Sequence, residues 1–220
     1  MSGLRELKKQ RTYEAISDAA VRLFLERGFD AVSVAEVAAA AEVSKPTLFR
    51  YFPAKEDLAL YRFADHEDES ARVVRAGRAA GVGALDALER HLRERLAARD
   101  PITGLCDDPG VLAYQRMLYG TPSLEARLFT YLRRSEAALA EELGEVLGAG
   151  VRARVAAGQI GVVLRVLALE NWRRIEAGAS ADAVHEMAVE EAGTAFRQLR
   201  EGLDLDLGAP RRASSPGPRA

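Results

Sequence analysis

A chain of 220 residues that is 48% hydrophobic and 29% charged has room for one or two buried cores and the composition of an ordinary globular protein. Its single cysteine, Cys106, excludes an intrachain disulfide framework. The longest apolar stretch, Val162 to Leu169, is broken by Arg165 and is too short to cross a bilayer, and the N-terminus lacks a signal-peptide core, so the expectation is a cytoplasmic protein with no membrane partner.

The net charge of −2 argues against a nucleic-acid partner until its distribution is considered. Residues 1–11 carry Arg5, Lys8, Lys9 and Arg11 against the single acid Glu6, and read as a basic arm ahead of the first helix. Such an arm can touch phosphates or enter a minor groove, and it can equally be disordered. Strand patterns are nearly absent and apolar residues recur at helical spacing almost throughout, which predicts an all-α fold.

Residues 33–55, SVAEVAAAAEVSKPTLFRYFPAK, hold the densest set of signals. Ser33 and Glu36 have capping-box spacing, with Val32 and Val37 in hydrophobic-staple positions, so a helix starts at Ser33. Val34, Val37, Ala38 and Ala41 share one face of it. Glu42-Val43-Ser44 interrupts the helix, and Ser44 caps a second one with Pro46 in its first turn, where a missing N–H is tolerated. Two helices joined by so short a turn form a helix-turn-helix, whose second helix enters the major groove by its N-terminal end. That second helix carries Lys45, Pro46, Thr47, Phe49, Arg50 and Tyr51 as DNA-binding candidates: Lys45 and Arg50 for base edges or phosphates, Thr47 and Tyr51 as hydroxyls for phosphate oxygens, and Pro46 for a thymine methyl. Leu48 and Phe52 on the opposite face would anchor it. The alternative is that Lys45, Arg50 and Lys55 form a solvated face and the aromatics, Phe49 included, form core.

Residues 11–58 resemble the DNA-binding domain of TetR-family transcriptional regulators. The resemblance runs through Ala15-Ile16, Ala19-Ala20, Leu23-Phe24, Arg27-Gly28-Phe29, Ser33-Val34, Val37-Ala38, Val43-Ser44, Thr47-Leu48-Phe49-Arg50-Tyr51-Phe52 and Lys55-Glu56-Asp57-Leu58. It implies base or flanking phosphate contacts for Lys45, Pro46 and Thr47, phosphate clamps at Tyr51 and Lys55, and a helix N-terminus on the DNA backbone at Ser33. Two positions depart from the pattern. Phe49 stands where many members carry Tyr, which removes a phenol contact, and Glu42 replaces the usual turn glycine, at about 1–2 kcal/mol if that residue is left-handed.

Beyond Phe52-Pro53 the pattern predicts a helix from Lys55 to about Arg75, a loop around Gly77, Gly81 and Gly83, and an amphipathic helix through Leu85, Leu88, Leu92 and Leu96 that Asp100-Pro101 stops. Residues 101–110 read as a loop, 111–119 and 123–147 as helices, and 151–177 and 181–201 as a terminal helical hairpin. Val155, Val162, Val163, Val166, Leu167 and Ile175 make the first of this pair apolar over much of its circumference, so it needs cover. The family resemblance implies that a second subunit supplies it, in a homodimer. The expected organisation is a helix-turn-helix domain with its basic arm at 1–54, a larger helical ligand-binding and dimerisation domain at 55–207, and a disordered Pro- and Ser-rich tail at 208–220.

Enzyme motifs fail in context. Gly148-Ala149-Gly150-Val151-Arg152-Ala153 matches a dinucleotide fingerprint, but a helical pattern rather than a strand precedes it. His185-Glu186 lacks the second histidine of a zinc-protease motif. Asp65, His66, Asp68 and Glu69 could place metal ligands on one face, and read better as a solvated surface. No catalytic residue, cofactor or metal is therefore expected. The chain reads as a ligand-responsive transcriptional repressor that leaves a palindromic double-stranded operator when a small hydrophobic effector binds; a constitutive regulator without a ligand is the alternative. An apolar pocket among the central helices has His91, Tyr114, Met117, Tyr131, Asn171 and Trp172 as candidate lining residues. A looser resemblance to mycofactocin-type regulators, some of which sense acyl-CoA, suggests a fatty-acyl thioester as effector.

Overall fold

The computed structural model of the chain describes residues 2–64 and 66–202. Among the described residues, ten α-helices and one 3-10 turn form the fold: α1 (Ser2–Arg27), α2 (Val34–Ala40), α3 (Lys45–Tyr51), α4 (Lys55–Ala64), α5 (Glu69–Ala79), α6 (Ala84–Ala97), the turn Pro101–Thr103, α7 (Pro109–Gly120), α8 (Pro122–Leu147), α9 (Val151–Glu176) and α10 (Ala181–Glu201). The expected tail at 208–220 lies outside the described residues.

Each short helix begins where its cap dictates. Ser33 accepts from Glu36 N at 3.3 Å while Ser33 N donates to the Glu36 carboxylate at 2.8 Å, which completes the capping box. Ser44 caps α3 by accepting from Thr47 N at 3.2 Å. The first core is shared. Ile16, Ala20 and Phe24 of α1, Val37 of α2, Leu48 of α3 and Leu58 of α4 are buried together with Leu118, Leu124 and Leu128 from α7 and α8, so apolar packing continues from the helix-turn-helix into the larger bundle. Two further clusters, one around Leu88, Leu139 and Phe196 and one around Leu96, Ile175 and Val184, bind α6, α9 and α10 together.

Three expectations need correction. The basic N-terminal segment is not an arm ahead of the first helix but part of α1, which begins at Ser2. Beyond Gly3 it has no helix breaker, and Gln10 Nε2 to Glu14 Oε1 at 3.2 Å adds an i,i+4 bond, so helix propagation prevails. Lys8, Lys9 and Arg11 stand exposed along it. The single helix expected from Lys55 to Arg75 is two helices, α4 ending at Ala64 and α5 starting at Glu69, with His66 N donating to Phe63 O and Glu69 N to His66 O between them. The break lets α4 stay with α1 and α8 while α5 lies against α6 and α8. Finally, residues 101–110 are not wholly a loop. Asp100 caps the 3-10 turn through Ile102 N, and Asp108 caps α7 through Gly110 N and Val111 N.

Candidate nucleic-acid interface and central cavity

The geometry of α3 separates an anchoring face from a presenting one. Leu48 and Phe52 are buried, whereas Lys45, Pro46, Phe49 and Arg50 are exposed, with 42% of Phe49 open to solvent. Phe49 thus stands exposed between cations on a helix whose other side is core. The Lys45 ammonium stands 6.0 Å from the Phe49 ring centroid and the Arg50 guanidinium 5.7 Å from that of Tyr51. Tyr51 is half-buried edge-on against Tyr13 of α1 at 4.7 Å, with its ring held by the helix that carries the basic residues. Thr47 is less free, because its hydroxyl accepts from Ser44 Oγ at 2.8 Å.

Ser33 sits at the α2 N-terminus, and its exposed cap is occupied by Glu36. Hydrogen bonds from the Ser33 backbone and hydroxyl, then the contact with Arg27, hold the Glu36 carboxyl down at about 2. Lys55 is placed differently from a free surface cation. Its ammonium donates to the Phe29 carbonyl at 2.5 Å and lies 4.3 Å from the Phe29 ring centroid, tying the start of α4 to the α1–α2 connection. Two of its N–H groups remain for other partners. Glu42, in the turn, has φ of +54°, the left-handed conformation normally given to glycine.

A second site lies in the helical bundle, in a cavity of about 220 Å3 walled by Leu88, Leu92, Leu128, Leu132, Leu139 and Leu164. Of the candidate lining residues, His91, Tyr131 and Asn171 reach it. Tyr114 instead lines a neighbouring cleft and donates its hydroxyl to Ala59 O at 2.7 Å; burial raises its pKa. Met117 packs against the first core and Trp172 packs against Tyr119, tilted by 40° with centroids 4.9 Å apart, both outside the cavity lining. Asn171 is buried and also structural, since its amide donates to the Thr103 carbonyl at 2.9 Å.

Of the acidic segment expected to be solvated, Asp65 lies outside the described residues, and His66, Glu67 and Glu69 supply the cavity's polar end. Glu69 gathers His66 Nδ1 at 2.8 Å, His91 Nε2 at 3.0 Å and the Arg95 guanidinium, which also binds Asp100. Burial alone would raise the Glu69 pKa, but the hydrogen bonds from His66 and Arg95 outweigh it and hold the carboxyl at about 2; the same bond raises that of His66. His66, Glu69 and Arg95, unlike His91, were not singled out as pocket residues from the sequence; the charged cluster at 65–69 was the signal present. No sequence signal linked Asp57 to Arg127, seventy positions away. Asp57 is buried, caps α4 through Ala54 N, takes two bonds from Arg127 at 2.7 and 2.9 Å, and accepts from Tyr131 OH at 3.2 Å. Burial and then the Asp57 charge push the Tyr131 phenol up to about 12. Tyr131 therefore touches the cavity with its ring and the root of α4 with its hydroxyl.

Residues 16–61 match the tetR family of bacterial regulatory proteins. TcmR, an HTH-type transcriptional regulator of Streptomyces glaucescens, is 36% identical over 135 residues, an alignment covering 61% of this chain and 58% of TcmR. MftR of Mycobacterium tuberculosis, named as a mycofactocin biosynthesis transcriptional regulator, is 27% identical over 206 residues, covering 90% of this chain and 93% of MftR. Thermus thermophilus FadR, a TetR-family transcriptional repressor solved in complex with lauroyl-CoA, shares the fold with a TM-score of 0.53 at 24% identity, over 94% of this chain and all of that one. Together with a capped helix-turn-helix packed onto a helical bundle, these matches make residues 16–61 similar to the tetR family of bacterial regulatory proteins and give the chain the fold of TetR-family regulators.

Proposed function

We propose that the protein is a homodimeric repressor that reads a palindromic operator with α3 and is released by a small hydrophobic effector in the central cavity. The observation that carries this reading is the division of α3 into a buried anchor, Leu48, and an exposed cationic and aromatic face, Lys45, Pro46, Phe49 and Arg50. Base reading is assigned to Lys45, Pro46 and Arg50, and phosphate contacts to Ser33, Thr47, Tyr51 and Lys55. Dimerisation is supported by α9. Val151, Val155, Val162 and Val166 are 46–67% exposed and fall within an arc of about 60° at 100° per residue, an apolar stripe that a second copy would cover. The effector chemistry follows from leucine walls with one ionic end, which suit an acyl chain bearing a polar head; the acyl-CoA bound to the Thermus thermophilus repressor is of that kind. Release runs through Tyr131, because an occupant that shifts its ring loosens the bond to Asp57 at the base of α4.

DNA fragments retained by the purified protein should share an inverted repeat whose half-sites lie about 34–36 Å apart, or a multiple of that. Lys45→Ala should relax preference at one base position, at roughly 1–3 kcal/mol. Retention without sequence preference, or a monomer protecting one half-site, overturns the reading. With lauroyl-CoA as probe, calorimetry should find affinity weakened about 5- to 150-fold by saturating operator. Equal affinities overturn effector-driven release while leaving operator recognition intact.

A further inference from the structure

We infer that the protein has a second small-molecule site, in the cleft between the DNA-reading head and the bundle, and that it takes an amphiphilic cation with an N–H donor. The cleft, of about 630 Å3, is formed by α1, α4, the Asp100–Ile102 segment and α7, and is distinct from the central cavity, with which it shares only Phe63, His66 and Ile102 as walls. Val21 and Leu25 of α1 face Val111 and Tyr114 of α7 across it, giving it an apolar body.

Gln115, on the cleft wall, carries the inference. It is 7% exposed, and its amide nitrogen donates to the Pro101 carbonyl at 3.4 Å. A carbonyl can only accept, so the Gln115 amide cannot be turned round, and its Oε1 is left buried without a hydrogen-bond partner. Buried polar atoms rarely stay unpaired, and an acceptor at the wall of a cleft is met by a donor arriving within it. The charge around the cleft selects among donors. Asp18, Glu26, Asp100 and Asp108 line it against Arg22, Arg62 and His66; Asp18 pairs with Arg62 at 3.0 Å, Glu26 with Arg22 at 3.8 Å and Asp100 with Arg95, Asp108 caps α7, and His66 is held by Glu69 at 2.8 Å, so each carboxylate is engaged and keeps further lone pairs. Carboxylates with spare lone pairs together with an unpaired amide oxygen favour an ammonium head over an anion, and the apolar walls favour an aryl or alkyl body. An occupant would touch α1 of the head and α7 of the bundle at once.

The test uses the full chain and 2-phenylethylamine, with 3-phenylpropionate as the anionic counterpart, followed through the methyl resonances of Val21 and Val111. The amine should give saturable shifts at both valines and the carboxylate none. Gln115→Leu should weaken the amine about tenfold by removing the acceptor. Val111→Lys, at the start of α7, should abolish binding by placing a like charge in the cleft, and Leu164→Trp, which fills the central cavity, should leave it within about twofold. No saturable shift, equal binding of the carboxylate, an unchanged affinity in Gln115→Leu, or loss in Leu164→Trp overturns the site. Operator binding by the same preparations is measured in parallel, so failure of the cleft and failure of the repressor reading are told apart.

Discussion

Replacing Asp57 by alanine probes the junction on which both the fold and the proposed release depend. The carboxylate is 6% exposed and the Arg127 side chain 34% exposed, so the mutation leaves a cation that can partly rehydrate. Breaking a fully buried pair costs about 3–5 kcal/mol; with half-open Arg127, charge-assisted bonds worth about 1.5–3 kcal/mol are the better measure. Loss of the cap on Ala54 N adds about 1 kcal/mol, for a total near 3 kcal/mol. At a chain length of 220 residues this corresponds to a fall in Tm of roughly 6–12 °C. The assay is denaturant unfolding followed by circular dichroism at one fixed protein concentration, because association contributes to apparent stability. A cycle with Arg127→Met should show a coupling of about 1–3 kcal/mol. Asp57→Ala within 0.5 kcal/mol of the parent, or strict additivity with Arg127→Met, would refute the argument that this pair fixes the root of α4.

Other substitutions test separate parts of the structure. Glu42→Gly relieves a left-handed residue at φ +54°, worth about 1–2 kcal/mol, against about 0.5–1 kcal/mol of added chain entropy, so thermal unfolding should show a small net gain; a loss would mean that the turn is not strained. Gly104→Ala would bring a Cβ to 1.9 Å from the Ala168 carbonyl oxygen at φ +70°, and its denaturation midpoint should drop by about 3 kcal/mol or more in stability terms; parent-like stability would contradict the close approach of this turn to α9. His66 has a folded pKa raised above 6.5 by its bond to Glu69, so its contribution is complete below 6.5 and is lost as pH rises through the raised value. The stability gap between the parent and His66→Gln should accordingly be wider at about pH 6 than at about pH 8.5, and a gap that does not change with pH would remove the ionic role of His66.

Local rules acting over a few residues were readable in the chain. Ser33 with Glu36, Ser44 with Pro46, and the stop at Asp100-Pro101 depend on neighbours within one helical turn, so the helix-turn-helix and most later boundaries followed from spacing alone. The valine stripe of α9 was likewise visible, because periodicity shows which residues share a face. Periodicity does not say what that face meets. The break between α4 and α5 is not legible because the two helices are drawn apart by tertiary partners, α1 for one and α6 for the other, and the N-terminal helix is not because charge suggests an arm where propensity extends α1. The cavity shows the same limit. His91, Tyr131 and Asn171 reach it while Met117 and Trp172 on equally apolar helices do not, since each is assigned by the packing of distant elements. Sequence thus determined where the side-chain-capped helices begin and which faces are apolar, through bonds that span a few residues. Only the tertiary structure decided that Asp57 meets Arg127 and Tyr131, that Glu69 gathers Arg95 and two histidines, and that Gln115 keeps an unpaired oxygen, because those contacts join positions separated by up to seventy-four residues, over which a linear pattern carries no spatial information.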